Sequence, residues 1–183
     1  TASHYKKRVF WLVALAAVGL ISGFIIHHFK DTLESLIILA IYMPMMASTG
    51  GNTGSQAATV VIRAFALGEV QDSIWYKVIW KEAKISFLLA LSIAAFTFIK
   101  IFFFTHNNVV PTDYPLISIA FLISLAIGLQ IVTSSIIGAG FPVLVRKFGG
   151  DPAVAASPAI ATIVDITGLL IYFTVASTAL GIQ

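Results

Sequence analysis

The chain has 183 residues, 58% hydrophobic and only 10% charged, and a mean hydropathy of +0.97, so a soluble domain would lack the polar residues to cover its surface. The pI of 9.3 does not describe a nucleic-acid patch, because the basic residues stand beside the ends of apolar runs. The absence of cysteine excludes disulfides, zinc thiolates and a thiol nucleophile.

The composition predicts an all-α, polytopic membrane protein, with a single domain over residues 1–183. A helix needs about 20 residues to cross a hydrocarbon core of ~30 Å. The clumped charges leave five stretches of that length, roughly Val9 to Ile26, Leu33 to Ile62, Ile85 to Phe104, Leu116 to Val145 and Val154 to Ile182. The start, Thr1-Ala2-Ser3-His4, is no signal peptide, since Lys6, Lys7 and Arg8 lead straight into a full-length span, and it reads as a piece of a longer chain. The second and fourth spans exceed the required length, which means tilt, a break or a helical extension into water, and both hold breakers, Pro44 with Gly50-Gly51-Asn52 and Gly138-Ala139-Gly140-Phe141-Pro142; a helix broken at membrane depth usually lines a cavity. Between the second and third spans, Trp75, Tyr76, Ile79 and Trp80 alternate with Lys77, Lys81 and Lys84. This segment is either an interfacial amphipathic helix or the start of the third span with an aromatic belt. The next loop, with His106, Asn107, Asn108, Pro111 and Asp113, has ordinary turn composition. Gly19 with Gly23, Gly50 with Gly54, and Ser134 with Gly138 have the spacing of close helix contacts.

Nine of the eleven basic residues fall on one side of these spans, and only Lys30 and Lys100 on the other. The bias places the N-terminus in the cytoplasm and the C-terminus outside, across the plasma (inner) membrane.

Asp165 is the one charged residue deep within a span, where an ionised carboxylate costs about 3 kcal/mol on insertion scales. No Lys or Arg lies in the core of any span, so its charge must be met by protonation, water, a bound cation, or hydroxyls such as Thr162 and Thr167. Pro158, Ala161, Asp165, Gly168 and Tyr172 share a helical face of mostly small residues, with room for an ion and its waters. Pro158 also frees a backbone carbonyl one turn before Ala161, and the resulting oxygen-only surroundings suit a hard cation such as Mg²⁺ or Ca²⁺. On the second span, Ser48, Asn52, Ser55 and Thr59 form one stripe, and Thr49, Thr53 and Gln56 its neighbour. Any one of these hydroxyls could serve helix packing; seven polar side chains in twelve positions point to a hydrophilic path.

The run Pro44-Met45-Met46-Ala47-Ser48-Thr49-Gly50-Gly51-Asn52-Thr53-Gly54-Ser55-Gln56-Ala57-Ala58-Thr59 resembles the second-helix signature of the MgtE magnesium transporters. Asp151-Pro152-Ala153, Ser157-Pro158, Ala161-Thr162 and the run from Asp165 to Phe173 resemble that family's last helix. The resemblance implies a Mg²⁺-selective, channel-like homodimer whose pore lies between subunits, lined by Gly51, Asn52, Ser55 and Ser48 of the second span and by Pro158, Thr162 and Gly168 of the fifth. It further implies that Asp165 of both subunits holds hydrated Mg²⁺, that Ala161 contributes a backbone carbonyl, and that Asp151 binds Mg²⁺ near cytosolic regulatory domains. Those N and CBS domains are expected in the full-length chain and lie outside residues 1–183. The family pattern often has Asn where this chain has Ser55, so no side-chain amide is carried over there.

Two other functions compete, a proton-coupled secondary transporter with Asp165 as the proton carrier and a membrane anchor without transport. An intramembrane enzyme is disfavoured: there is no His-Glu-x-x-His, and a catalytic dyad would need a second buried carboxylate in the same chain. The partners expected are a second copy of the chain, membrane lipid and Mg²⁺, with no nucleic acid.

Overall fold

The computed structural model describes residues 2–68, 75–105 and 114–181, and every regular element within them is helical. The elements are α1 (Ala2–His28), α2 (Lys30–Ser35), α3 (Ile37–Ala66), α4 (Trp75–Phe104), α5 (Leu116–Lys147) and α6 (Pro152–Leu180). Four stretches are long and apolar enough to cross a bilayer: Val9–His28 of α1, all of α4, all of α5, and Pro158–Ala179 of α6. The chain is a membrane protein. The remaining long helix, α3, has 30 residues like α4, about 45 Å of helix, but its middle is too polar for it to count with the other four on composition alone.

The core forms around α5, which packs against α3, α4 and α6, while α1 leans on α6. Ile119, Ile123, Ile127 and Ile131 recur on the buried side of α5 and meet Ile38, Leu39 and Tyr42 of α3 and Leu169, Tyr172 and Phe173 of α6. At one end of the bundle Phe29 stacks on Phe173, with centroids 5.3 Å apart. There Lys100 Nζ also donates to the Tyr42 hydroxyl at 2.6 Å. At the opposite end Val61 packs with Ile79, Ala139 and Val143, and the Arg146 guanidinium lies 4.5 Å from the Phe65 ring centroid. The helices from α3 to α6 therefore alternate in direction, and Arg146, Lys147 and Trp75 gather at one end of the molecule.

Several expectations change. The span from Leu33 to Ile62 is interrupted at Leu36, whose φ of −136° and ψ of 79° separate short α2 from α3. Neither set of breakers interrupts its helix: α3 runs unbroken through Pro44 and Gly50-Gly51, and α5 through Gly138 to Pro142. A proline removes a single ladder hydrogen bond, which a helix in the membrane tolerates when its neighbours hold it on both sides. The third span starts at Trp75 rather than Ile85, so the belt reading holds, with Trp75, Tyr76 and Trp80 exposed at the start of α4. The expected turn from His106 to Asp113 lies outside the described residues.

The small residues divide. A Cβ on Gly138 would stand 2.7 Å and 2.8 Å from the backbone C and Cα of Gly54, and one on Gly54 would stand 3.2 Å from the Ser134 carbonyl oxygen. There α3 and α5 touch backbone to backbone. Gly19 and Gly23 have nothing within 4 Å of such a Cβ, because the face of α1 that carries them meets no other helix among the described residues.

Candidate functional site

Three helices build the region around Asp165. On α6, Ile160, Val164, Gly168 and Tyr172 follow helical spacing and are buried. Ile160 and Val164 pack on Gly54 of α3, and the Tyr172 hydroxyl donates to the Leu39 carbonyl at 3.0 Å. Asp165 follows Val164, about 100° further round the helix, and is half-buried at the edge of that packing face. It has no hydrogen-bond or ion-pair partner among the described residues. The hydroxyls nearest it in sequence are used elsewhere: Thr162 Oγ1 donates to the Pro158 carbonyl at 3.0 Å, and Thr167 Oγ1 to the Ile163 carbonyl at 3.0 Å and the Val164 carbonyl at 3.2 Å. A carboxylate at this depth, unmet by the described residues, calls for protonation, water or a cation.

The face expected around Asp165 is narrower than the spacing suggested. Pro158 is exposed, and Ala161 and Thr162 are half-buried beside Asp165. Gly168 and Tyr172 are turned into the bundle. The space beside Gly168 is filled by Gln130 of α5, whose Cδ would be 2.7 Å from a Cβ there, so Gly168 is a packing glycine in this chain. The α6 helix is regular through Ala161, which leaves that carbonyl one lone pair beyond its ladder bond.

On α3 the polar run faces outward. Ser48, Asn52, Gln56 and Thr59 are exposed, while Gly51, Thr49, Thr53 and Ser55 are half-buried. None of its side-chain hydrogen bonds among the described residues crosses to another helix. Thr49 donates to the Met45 carbonyl at 2.9 Å, Thr53 to Thr49 at 2.7 Å and Thr59 to Ser55 at 2.8 Å, and the Asn52 amide reaches Ser48 Oγ at a long 3.5 Å. Gly51 has nothing within 4 Å of a Cβ position, which leaves the strip beside Asn52 open.

Asp151 stands apart. It is exposed just before α6 and lines a cavity of about 330 Å³ with Arg146, Ile62, Phe65 and Ala66. The fourteen residues from Asp151 to Asp165 amount to about 21 Å of helix, so the two carboxylates belong to different places. No group of three or more His, Asp or Glu side chains among the described residues could hold a bare metal ion.

Gln130 was not singled out from the sequence. It is fully buried, and its Nε2 donates to the Val164 carbonyl at 2.9 Å. The available signal was a lone amide inside the apolar run from Leu116 to Val145, a polar group that must find a partner within the bundle.

A family model for MgtE, described as a divalent cation transporter, matches residues 43–175, which take in most of α3, all of α4 and α5 and most of α6. The chain is 35% identical over 172 residues to the magnesium transporter MgtE of Thermus thermophilus and 32% identical over 171 residues to that of Bacillus subtilis. The alignments cover 94% and 93% of this chain, which spans only 36% of the length of each relative. A third magnesium transporter MgtE, from Enterococcus faecalis, is 29% identical over 94% of the chain.

Proposed function

The chain belongs to the MgtE family of divalent cation transporters, and from that premise we propose that it forms the membrane pore of a magnesium-selective, channel-like homodimer. The observation that carries the reading is the isolation of Asp165: half-buried mid-helix, with both neighbouring threonine hydroxyls committed to their own backbone. The exposed stripe of Ser48, Asn52, Gln56 and Thr59 supports it, since polar side chains at membrane depth need a wet surface opposite them. A second copy facing this side would supply one and would double Asp165 to two carboxylates, matching a divalent charge about a two-fold axis.

Mg²⁺ sheds water reluctantly and keeps near-octahedral oxygen geometry, so two carboxylates, the Ala161 carbonyl and the hydroxyls and amide of α3 would hold it through its water shell. Asp151, at the start of α6, would serve a separate Mg²⁺ contact towards the regulatory N and CBS domains of a longer chain. In this reading α3 also crosses the membrane, which brings the spans to five, and it is stable there because its polar face lines the path. The N-terminus then lies in the cytoplasm and the C-terminus outside the plasma membrane, following the basic-residue bias.

The test is Mg²⁺ entry into liposomes carrying the purified protein and an internal Mg²⁺ indicator, with and without a protonophore. The proposal expects a protonophore to leave uptake unchanged and excess Ca²⁺ to compete poorly. Uptake that collapses with the proton gradient would replace it with proton-coupled carriage by Asp165. A protein that moves nothing would leave only the membrane anchor.

A further inference from the structure

A glutamine buried among three helices at the level of the ion path needs a reason, since an apolar side chain of the same size would fill that space without burying an amide. Gln130 lies on α5 and is 0% exposed. Its Nε2 donates to the Val164 carbonyl of α6 at 2.9 Å, and its Oε1 has no partner among the described residues. α6 is helical through this turn, so the Val164 carbonyl is already engaged in the ladder, and the Gln130 bond is an additional tie rather than the rescue of an orphaned group. Two glycines make room for it. A Cβ on Gly168 of α6 would be 2.7 Å from Gln130 Cδ, and a Cβ on Gly50 of α3 would be 3.1 Å from Gln130 Cγ, with Nε2 closer still to both positions. One amide thus occupies the junction of α3, α5 and α6 and is tied to the peptide that links Val164 to Asp165.

We propose that Gln130 is a positioning residue for ion selection: by holding the Val164 carbonyl, it fixes the rotation and height of the α6 turn that presents the Asp165 carboxylate to the path. The proposal rests on the reading of Asp165 as the ion-holding group. A hydrated ion is recognised through its water shell, so the separation of the two facing carboxylates decides which shell fits, and a small turn of α6 changes that separation twice in a symmetric pair. Hydrophobic packing alone permits such a turn, because it is non-directional. The amide bond opposes it, because a hydrogen bond weakens steeply with angle.

The experiment measures the Mg²⁺ concentration dependence of flux, Mg²⁺ against Ca²⁺ preference and thermal stability for wild type, Gln130→Met and Asp165→Asn in the same liposome preparation. Methionine keeps the length and volume of the side chain and removes the bond. The expected result is a folded Gln130→Met protein whose half-saturating Mg²⁺ concentration rises about tenfold, a coupling of about 1.4 kcal/mol, and whose preference for Mg²⁺ over Ca²⁺ falls, while flux at saturating Mg²⁺ stays within about threefold of wild type. If Gln130→Met yields too little folded protein, Gln130→Asn, which keeps an amide too short to reach Val164, takes its place with the same expected signature. Wild-type affinity and preference in either folded variant, alongside a silent Asp165→Asn, overturns the positioning role and leaves the pore reading intact. An Asp165→Asn protein that conducts normally removes the pore reading itself, and the positioning proposal falls with it.

Discussion

α3 and α5 are nearly the same length, 30 and 32 residues, each with an internal proline and each with a series of polar side chains, yet they place those side chains oppositely. On α5, Ser124, Gln130, Ser134 and Ser135 are buried against other helices. On α3, Ser48, Asn52, Gln56 and Thr59 point out of the single chain. The comparison reverses a habit formed on soluble proteins, where the buried polar group draws attention and the exposed one is ordinary. In a bilayer an outward polar side chain faces lipid unless a path or a second subunit lies opposite it, so it is α3 that declares one. Of the inward ones of α5, Gln130 ties α5 to α6 through its amide, while the Ser124 and Ser134 hydroxyls have no hydrogen-bond partner among the described residues.

The largest effects should come from the seam between these helices. Gly138→Ala drives a Cβ into the Gly54 backbone, which cannot swing aside as a side chain can, and should cost about 3 kcal/mol or more. Gly51→Ala, on the open face of α3, should leave stability unchanged or slightly raised. Thermal unfolding in detergent separates the two, and equal losses would break the distinction between the packed and open faces of α3.

The next effect is on transport. Asn52→Leu places an apolar group in the exposed stripe without touching another helix, and should lower Mg²⁺ flux about tenfold, a barrier of about 1.4 kcal/mol, while the folded yield holds. Ser134→Ala removes a buried hydroxyl of α5 that has no partner among the described residues, and should leave both flux and stability near wild type. Liposome flux on the pair sharpens the comparison; a silent Ser134→Ala with a conducting Asn52→Leu would invert it. The smallest effect belongs to the far end of α3, where the Tyr42 hydroxyl accepts from Lys100 at 2.6 Å and pairs with Thr105 at 3.3 Å. Tyr42→Phe should cost about 1 kcal/mol in the melt and nothing in flux.

Charge clumping made the presence and rough placement of the long helices legible, though not the start of α4 at Trp75, because lipid enforces apolar length more strictly than water enforces any soluble pattern. Asp165 was legible for the same reason, as a lone charge in an apolar run. What the residues alone did not reveal depends on tertiary contact. Pro44 and Gly50-Gly51 read locally as a break, but the pressure of α5 and α6 on Gly50 and Gly54 makes the same residues a contact surface in an unbroken helix. Gly19 and Gly23 share that spacing, yet no neighbour among the described residues uses it. The interruption at Leu36 carries no glycine or proline to announce it. Gly168 looked like open space beside Asp165 until the amide of Gln130, thirty-eight residues earlier, was found in it.

The central claim is that Asp165 exists to hold a divalent ion and not to hold the fold, and Asp165→Asn tests it most directly. The substitution keeps shape and hydrogen-bonding capacity, removes one negative charge per chain, and strands no partner, since the carboxylate has none among the described residues. The decisive measurement is Mg²⁺ flux in liposomes for wild type and mutant, with each protein's melting temperature taken without metal. The account predicts a mutant that melts no earlier than wild type, having lost an unpaired charge from the membrane, and whose flux falls to background. A mutant that melts early while its folded fraction still conducts Mg²⁺ would contradict it.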